Sequence, residues 1–592
     1  MIETAVEAEI DQSAMTKAAQ RWLQAFESAV NTGDRPVSSL FSSDGWWRDV
    51  LAFTWTIVTF TGTERIDAGS RDALTRWTLK PFRCDTAELR CEYSTDYGVP
   101  TIQVWFTFEL GEGKGRGRGL LRLLASTADA DIPTAWALLT MLEDIGPHES
   151  RPFSAKPDPR IFGGPNWLDR RERERSYIHH DPTVLIVGGG QAGLSVAARL
   201  KELEIDALII DRHERIGDNW RKRYHALELH NETWANHLPL MPFPDFWPTY
   251  LSKDKLANWF ESYVETLELN YWPATTFQSG EFDASEHRWL AKLQGADGAL
   301  RELRPRHIVM ATGVSGIPYV PDMRGLEEFS GQVLHSTSYT TGNRYAGKDV
   351  LVVGTGSSGH DIAQDLHAVG ANVTMVQRGS TSVVSLYPSV QMWSSSYHKD
   401  KDTDESDFLS VSVAYPLLVQ SAQKLTKIAN EYDKELIDGL HAVGFRTDVG
   451  EDATGWQMKY FRRGGGYYIN VGCSELIVDG KVAVVQYDDI AGFERNGLRY
   501  IDGSKEHFDA CIFATGYLDQ QAGVRAHFGD AVAEKVGSIW GYDENGETKN
   551  VWKPTRQESL WFAMGSLTAC RIYSKFLARQ IWAVETGQLA DK

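Results

Sequence analysis

Two stretches of this chain share one grammar, and it restricts the fold more than anything else in the sequence. In VLIVGGGQAGLSVAARL, apolar residues of strand character run into Gly188-x-Gly190-x-x-Gly193 and then into a helical pattern whose small residues face the strand. VLVVGTGSSGHDIAQDL repeats this with Gly354-x-Gly356-x-x-Gly359. The first glycine of each set makes a tight turn, the second lets backbone approach a pyrophosphate, and the third lets helix and strand pack closely. The helix start then offers free N–H groups and partial positive charge to phosphates. A lone G-x-G-x-x-G is weak evidence, but here both copies sit between a strand and a helix. The first is followed by a second strand, in LIIDRHERIGDNW, ending on Asp211, 18 residues after Gly193. A carboxylate there can accept hydrogen bonds from ribose hydroxyls. The chain therefore reads as α/β, with two dinucleotide sites.

At 592 residues it is too long for one core. Residues 1–150 read as an α+β domain, with helical KAAQRWLQAFESAV followed by strand-like FTWTIVTF, TIQVWFTFEL and AWALLTMLE. Residues 151–180, rich in Pro, Gly and mixed charge, read as a linker, and the run Arg170 to Arg175 as a solvated helix face. The expected division is a first nucleotide domain over 181–340, a second over 341–500 with a helical insertion, and a return to the first over 501–592. Apolar strands end in Ala-Thr-Gly at Thr312-Gly313 and again at Thr515-Gly516, which marks the crossings between nested domains. Arg48 with Asp49 is a candidate catalytic pair, with a structural ion pair or solvated face the favoured alternative.

Charge and cysteine usage exclude several classes. With 61 basic against 80 acidic residues and a formal charge of -19, the chain lacks the field that non-specific nucleic-acid binding requires. The five cysteines are odd in number and contain no C-x-x-C, so neither a disulfide framework nor a metal site is expected, and buried thiols are. No apolar run is long enough to span a membrane and the N-terminus lacks signal-peptide character, so a cytoplasmic location without a membrane anchor is expected.

Phe329-x-Gly331-x-x-x-His335-x-x-x-Tyr339, between the two glycine motifs, resembles the signature of the class B flavin-dependent monooxygenases. The Tyr ending looks like the flavin-containing monooxygenase branch, as does HALELHNETWANHLPLMPFPDFWPTYLSKDKLANWFESY, which is also similar to plant YUCCA-type enzymes. The likeness covers residues 182–590. The leading extension, through LFSSDGWWRDVLAFTWTIVTFTGTERI, resembles a cone-like SnoaL-like or ketosteroid-isomerase-like fold and the arrangement of type II flavin-containing monooxygenases.

This resemblance implies two nested Rossmann-type domains, for FAD and for NADPH, with NADH open as a substitute. It implies hydride transfer to FAD, reaction with O2 and insertion of one oxygen atom into a small organic substrate through a C4a-(hydro)peroxyflavin. N- or S-oxygenation is the leading chemistry; Baeyer–Villiger oxidation and YUCCA-like decarboxylation of a 2-oxo acid remain open. Residue by residue, it puts Gly188, Gly190 and Gly193 on the FAD pyrophosphate, Asp211 on its ribose and Trp220 near the flavin, with Thr312 and Gly313 closing the site. Gly354, Gly356 and Gly359 serve the nicotinamide cofactor, with hydroxyls from Ser357 and Ser358 and a 2′-phosphate contact from Arg378. Asn231 falls beside the flavin edge, and His335 is a hinge residue or a proton carrier. The N-terminal domain covers the flavin domain or forms a homodimer. A pyridine nucleotide–disulfide oxidoreductase is disfavoured, because no cysteine lies between Gly193 and Arg378.

Overall fold

The structure, a computed structural model, describes residues 11–145 and 162–589. The first part of the expected linker, 151–161, therefore lies outside the described residues; the rest includes a helix, Trp167–Ser176, started by an Asn166–Asp169 capping box.

The N-terminal unit opens with α1 (Gln12–Thr32), in which Ala18, Trp22, Phe26 and Ala29 recur at helical spacing on one buried face. Gly33, at φ 69°, ends the helix by donating its N–H to Ala29 O. Six strands follow: β1 (Phe41–Val50), β2 (Ile57–Thr61), β3 (Phe82–Ser94), β4 (Thr101–Leu110), β5 (Gly115–Leu124) and β6 (Ala135–Ile145). They form one sheet in the order β2-β1-β6-β5-β4-β3, antiparallel except where β1 meets β6. Helix Gly62–Arg76 packs beside β1 and β2. The interior is filled by rings: Trp22 stacks on Phe26 at 5.2 Å, and Phe26 meets Trp47, Phe53 and Phe82 edge-on.

The first nucleotide sheet is all parallel, ordered Leu560–Phe562, His307–Met310, Val184–Val187, Ala207–Ile210, Asn270–Trp272. The second is parallel too, ordered Gln332–His335, Ala510–Phe513, Asp349–Val353, Asn372–Gln377, Val482–Gln486. Each carries a three-stranded antiparallel insert before the chain crosses over. Sheet membership corrects the expected boundaries. Gln332–His335, placed in 181–340, and Ala510–Phe513, placed in 501–592, both belong to the second sheet, because each pairs with a neighbour of that sheet rather than the first. Among the described residues after 501, only the strand Leu560–Phe562 returns to the first sheet.

The region after residue 400 folds as helices Thr403–Val411, Tyr415–Tyr432, Lys434–Ala442 and Gly455–Arg463. All five cysteines are free thiols, with Cys84 half-buried and the others buried. Among the described residues, no helix is long and apolar enough to cross a membrane.

Arg48 and Asp49 do not form a pair. Successive residues of a strand point to opposite faces, and each finds a different partner. The Asp49 carboxylate is fully buried and accepts from the Thr140 and Thr54 hydroxyls at 2.7 Å and from the amides of Phe53 and Thr54. Burial nevertheless pushes its pKa up to about 6. Arg48 reaches across to Glu547, donating to both carboxylate oxygens at 2.8 Å.

Candidate active site

The first glycine loop is shaped by what a side chain would strike. Gly188 has φ +114°, and a Cβ on it would lie 2.5 Å from Ala311 O; one on Gly193 would lie 2.0 Å from Gly188 O. Only hydrogen fits at these two places. The helix Gln191–Glu202 then begins without a side-chain cap, so its leading N–H groups face the cleft unpaired by any side chain. Asp211 stands at the end of the next strand, 8% exposed. It accepts from Gly189 N at 2.7 Å, and from the amide and Nδ1 of His213 at 2.8 and 2.7 Å. Burial alone would raise its pKa, but these hydrogen bonds hold the carboxyl below its usual value. An ionised carboxylate has about four acceptor positions, which leaves room for a ribose hydroxyl. Trp220 is half-buried and donates to Gln191 Oε1 at 3.2 Å, on the helix of the same loop.

The two Ala-Thr-Gly turns are tied together. Thr312 Oγ1 donates to Gln520 Oε1 at 3.0 Å, and Gln520 Nε2 donates to Gly313 O at 2.6 Å. Tyr319 N donates to Gly516 O at 3.0 Å while Thr515 Oγ1 donates to Tyr319 O at 2.5 Å. His335 joins this knot: Nε2 donates to Gly516 O at 3.1 Å, and Nδ1 accepts from Thr337 N at 3.2 Å. Burial lowers its pKa, although the bond to Gly516 works the other way. With both ring nitrogens engaged, His335 joins the domain crossing to the second sheet and has no free lone pair for a substrate proton. Tyr339, fully buried, donates to Asp365 Oδ2 at 2.6 Å on the helix of the second loop. Gly331 sits where a Cβ would be 2.4 Å from the Phe329 ring and 2.6 Å from Asp509 O. The spaced motif is thus a strap packed against the second nucleotide unit.

The second loop repeats the first with one difference. Gly354 (φ +117°) and Gly359 are closed off by Ala514 O and Gly354 O, whereas a Cβ on Gly356 would meet nothing nearer than Tyr467 O at 3.8 Å. Gly356 faces open space. Ser357 Oγ donates to Tyr467 O at 3.3 Å, while Ser358 is half-buried with its hydroxyl unpaired among the described residues. The helix Ser357–Ala368 again lacks a side-chain cap. Arg378, at the end of the following strand, is exposed and its guanidinium has no partner among the described residues. Uncapped N–H groups, a cradle kept clear by glycine and an unpaired cation suit a phosphorylated dinucleotide.

Asn231 is half-buried and its side-chain amide makes no hydrogen bond to the described residues; its backbone carbonyl accepts from Asn236 Nδ2 at 2.9 Å. The segment that follows is held by Arg571 and Thr568 of the C-terminal helix Leu567–Glu585, which donate to Ala235 O at 2.7 Å each. Sequence reasoning missed Gln520, Asp365 and Arg571. Arg571 alone carried a signal, as a cation inside the apolar pattern of the last helix.

Comparison with known proteins agrees with this geometry. The family described as pyridine nucleotide-disulphide oxidoreductase matches residues 185–401, a span that holds both glycine loops and no cysteine. The chain is 31% identical over 351 residues to indole-3-pyruvate monooxygenase YUCCA1 of Oryza sativa subsp. japonica, covering 59% of this chain and 79% of that protein. It is 30% identical over 339 residues to indole-3-pyruvate monooxygenase YUCCA6 of Arabidopsis thaliana, covering 56% and 75%. Among solved structures, ε-caprolactone-bound cyclohexanone monooxygenase shares the fold with a TM-score of 0.50 at 15% identity, over 69% of this chain and 89% of that one.

Proposed function

Because this chain belongs to the class B flavin-dependent monooxygenases, we propose that it adds one oxygen atom from O2 to a soft nitrogen or sulfur nucleophile of a small organic substrate. It is an enzyme that uses FAD and NADPH. When bound, the flavin supplies the chemistry, taking hydride from the nicotinamide and activating O2.

The chain's own residues bind, orient and exclude. The first loop and Asp211 hold FAD by pyrophosphate and ribose, and Trp220 packs beside it. Thr312 and Gly313, tied to Gln520, close the ring end of the site. Gly354, Gly356 and Gly359 with Ser357, Ser358 and Arg378 hold NADPH. His335 keeps Gly516 and the crossing in register and is a positioning residue in this reading.

The observation that carries the proposal is the Asn231 amide: half-buried, on a segment pinned by Arg571, and without a partner among the described residues. Beside the flavin edge, where the family resemblance puts Asn231, such a donor would hold oxygen chemistry by hydrogen bonding and help keep it from water. Asn231→Leu is expected to raise the hydrogen peroxide released per NADPH consumed; an unchanged ratio removes Asn231 from the reaction.

A second reading, oxidative decarboxylation of a 2-oxo acid, is favoured by the relatives named indole-3-pyruvate monooxygenase. An identity of 31% leaves the substrate pocket free to differ. Product analysis by mass spectrometry separates the two. N-oxides or sulfoxides support the first reading, and a carboxylic acid one carbon shorter from indole pyruvate supports the second.

A further inference from the structure

A path of charged contacts, buried at Arg48, Arg122 and Arg571 and exposed at Arg90 and Asp404, runs from the N-terminal sheet to the segment carrying Asn231, and the cofactor reading uses only its Arg571 end. Its centre is the nine-residue helix Thr403–Val411. Arg118 pairs with Asp404 at 2.9 Å and lies over the Phe408 ring at 4.6 Å, while Arg90 pairs with Glu405 at 3.1 Å. At the other end, Arg48 donates to Val411 O at 2.5 Å, and Arg122 donates to Ser412 O at 3.3 Å and Ser412 Oγ at 3.1 Å. Acid in the first turn and guanidinium on the last carbonyls is the arrangement a helix dipole favours. The N-terminal unit therefore grips this short helix at both ends.

Between those grips, Asp407 faces another partner. It receives both arms of Arg571, Nε at 2.8 Å and Nη2 at 2.7 Å, and the Tyr397 hydroxyl at 2.8 Å. Arg571 is 4% exposed and gives its remaining arm, Nη1, to Ala235 O at 2.7 Å and His237 O at 3.0 Å. A planar guanidinium serving a carboxylate on one side and two carbonyls on the other fixes their mutual positions, which a flexible ammonium does not. Asn236, between those carbonyls, holds Asn231 O.

We propose that the N-terminal unit is a positioning module for the active-site segment. It holds the helix Thr403–Val411, whose Asp407 holds Arg571, which in turn fixes Ala235, His237 and hence Asn231. Its own interior, filled by Trp22, Phe26, Trp47, Phe53 and Phe82, fits this supporting task. The positional claim rests on geometry alone, and its catalytic consequence rests on the role proposed for Asn231.

The test uses the full-length, FAD-loaded protein and the variants Asp407→Asn, Arg122→Met and Arg118→Gln, with the double variant Asp407→Asn/Arg122→Met. Hydrogen exchange read by mass spectrometry follows residues 229–238, whose amides at Leu229, Thr233 and Ala235 are hydrogen-bonded. Peroxide formation from NADPH without substrate is measured in parallel. Asp407→Asn is expected to speed exchange of this segment roughly fivefold or more, as loss of a coupled buried contact does. Arg122→Met acts in the same direction, and the double variant adds less than the two effects combined.

Arg118 has 26% of its side chain exposed, so Arg118→Gln supplies a folded variant should Arg122→Met not fold. If the N-terminal variants quicken exchange only within 403–413, leaving 229–238 as protected as in the wild type, the proposal is overturned. Faster exchange of 229–238 with wild-type peroxide formation keeps the positioning module and removes the role of Asn231.

Discussion

Gly193 and Gly356 belong to the same motif in its two copies, yet the structure assigns their substitution to alanine opposite consequences. In Gly193→Ala the new Cβ would lie 2.0 Å from Gly188 O and 3.2 Å from an Ile186 methyl, so strand and helix must part. Overpacking of this kind costs about 1–3 kcal/mol of stability, and FAD retention falls with it. In Gly356→Ala the nearest atom is 3.8 Å away and the backbone, at φ -82° and ψ -176°, suits any residue. The empty protein is then unharmed, or gains about 0.4–1 kcal/mol from a stiffer unfolded chain. The cost appears only when a pyrophosphate must approach, where about 1–3 kcal/mol of overlap weakens NADPH binding roughly 5- to 150-fold. Thermal unfolding of both variants, with NADPH titrated against flavin or protein fluorescence, reads the two effects separately. Wild-type NADPH affinity in Gly356→Ala would refute the assignment of the second loop.

Arg378→Ala is expected to raise the NADPH Michaelis constant by the equivalent of about 1.5–3 kcal/mol and to leave that for NADH nearly unchanged, because only NADPH carries a 2′-phosphate; equal losses in steady-state kinetics would assign Arg378 elsewhere. Arg48→Met strands Glu547, 5% exposed and held otherwise by Thr59 Oγ1 at 2.7 Å, and is expected to cost about 3–5 kcal/mol in denaturant unfolding; a loss under about 1 kcal/mol would show that this junction contributes little. Burial pushes His360, stacked on Tyr468 at 3.8 Å, from 6.5 down to about 4. The unfolded chain then binds the extra proton first, so this contribution is complete above pH 6.5 and is lost as pH falls toward 4. His360→Gln is expected to flatten the slope of stability against pH in that window by up to about 1.4 kcal/mol per pH unit, and an unaltered slope would contradict it.

The parallel sheets were legible because their central strands are short unbroken apolar runs, each ending at a glycine turn. Val184–Val187 and Asp349–Val353 announce themselves this way. The sheet edges were not. Gln332–His335 is only four residues long, mixed in polarity and exposed over its first half, and what assigns it to the second sheet is pairing with Ala510–Phe513, a contact distant in sequence. The glycine loops, Asp211 and Arg378 could be proposed as cofactor contacts from sequence because the tasks proposed for them depend on local spacing. Arg571 and Asp407, 164 residues apart, meet only in the folded chain. The adjacent Arg48 and Asp49 were readable as a pair in sequence, and strand alternation sends them to different partners.

The account as a whole is tested most directly by following the oxygen atom. The purified, FAD-loaded protein is incubated with NADPH and isotopically heavy O2 in the presence of a sulfide, a tertiary amine, a cyclic ketone or indole pyruvate, and product mass, NADPH consumed and peroxide formed are measured together. The predicted result is one heavy oxygen atom in the product of at least one of these substrates, formed in step with NADPH consumption. Full recovery of the NADPH electrons as hydrogen peroxide, with no labelled product from any of them, would contradict it.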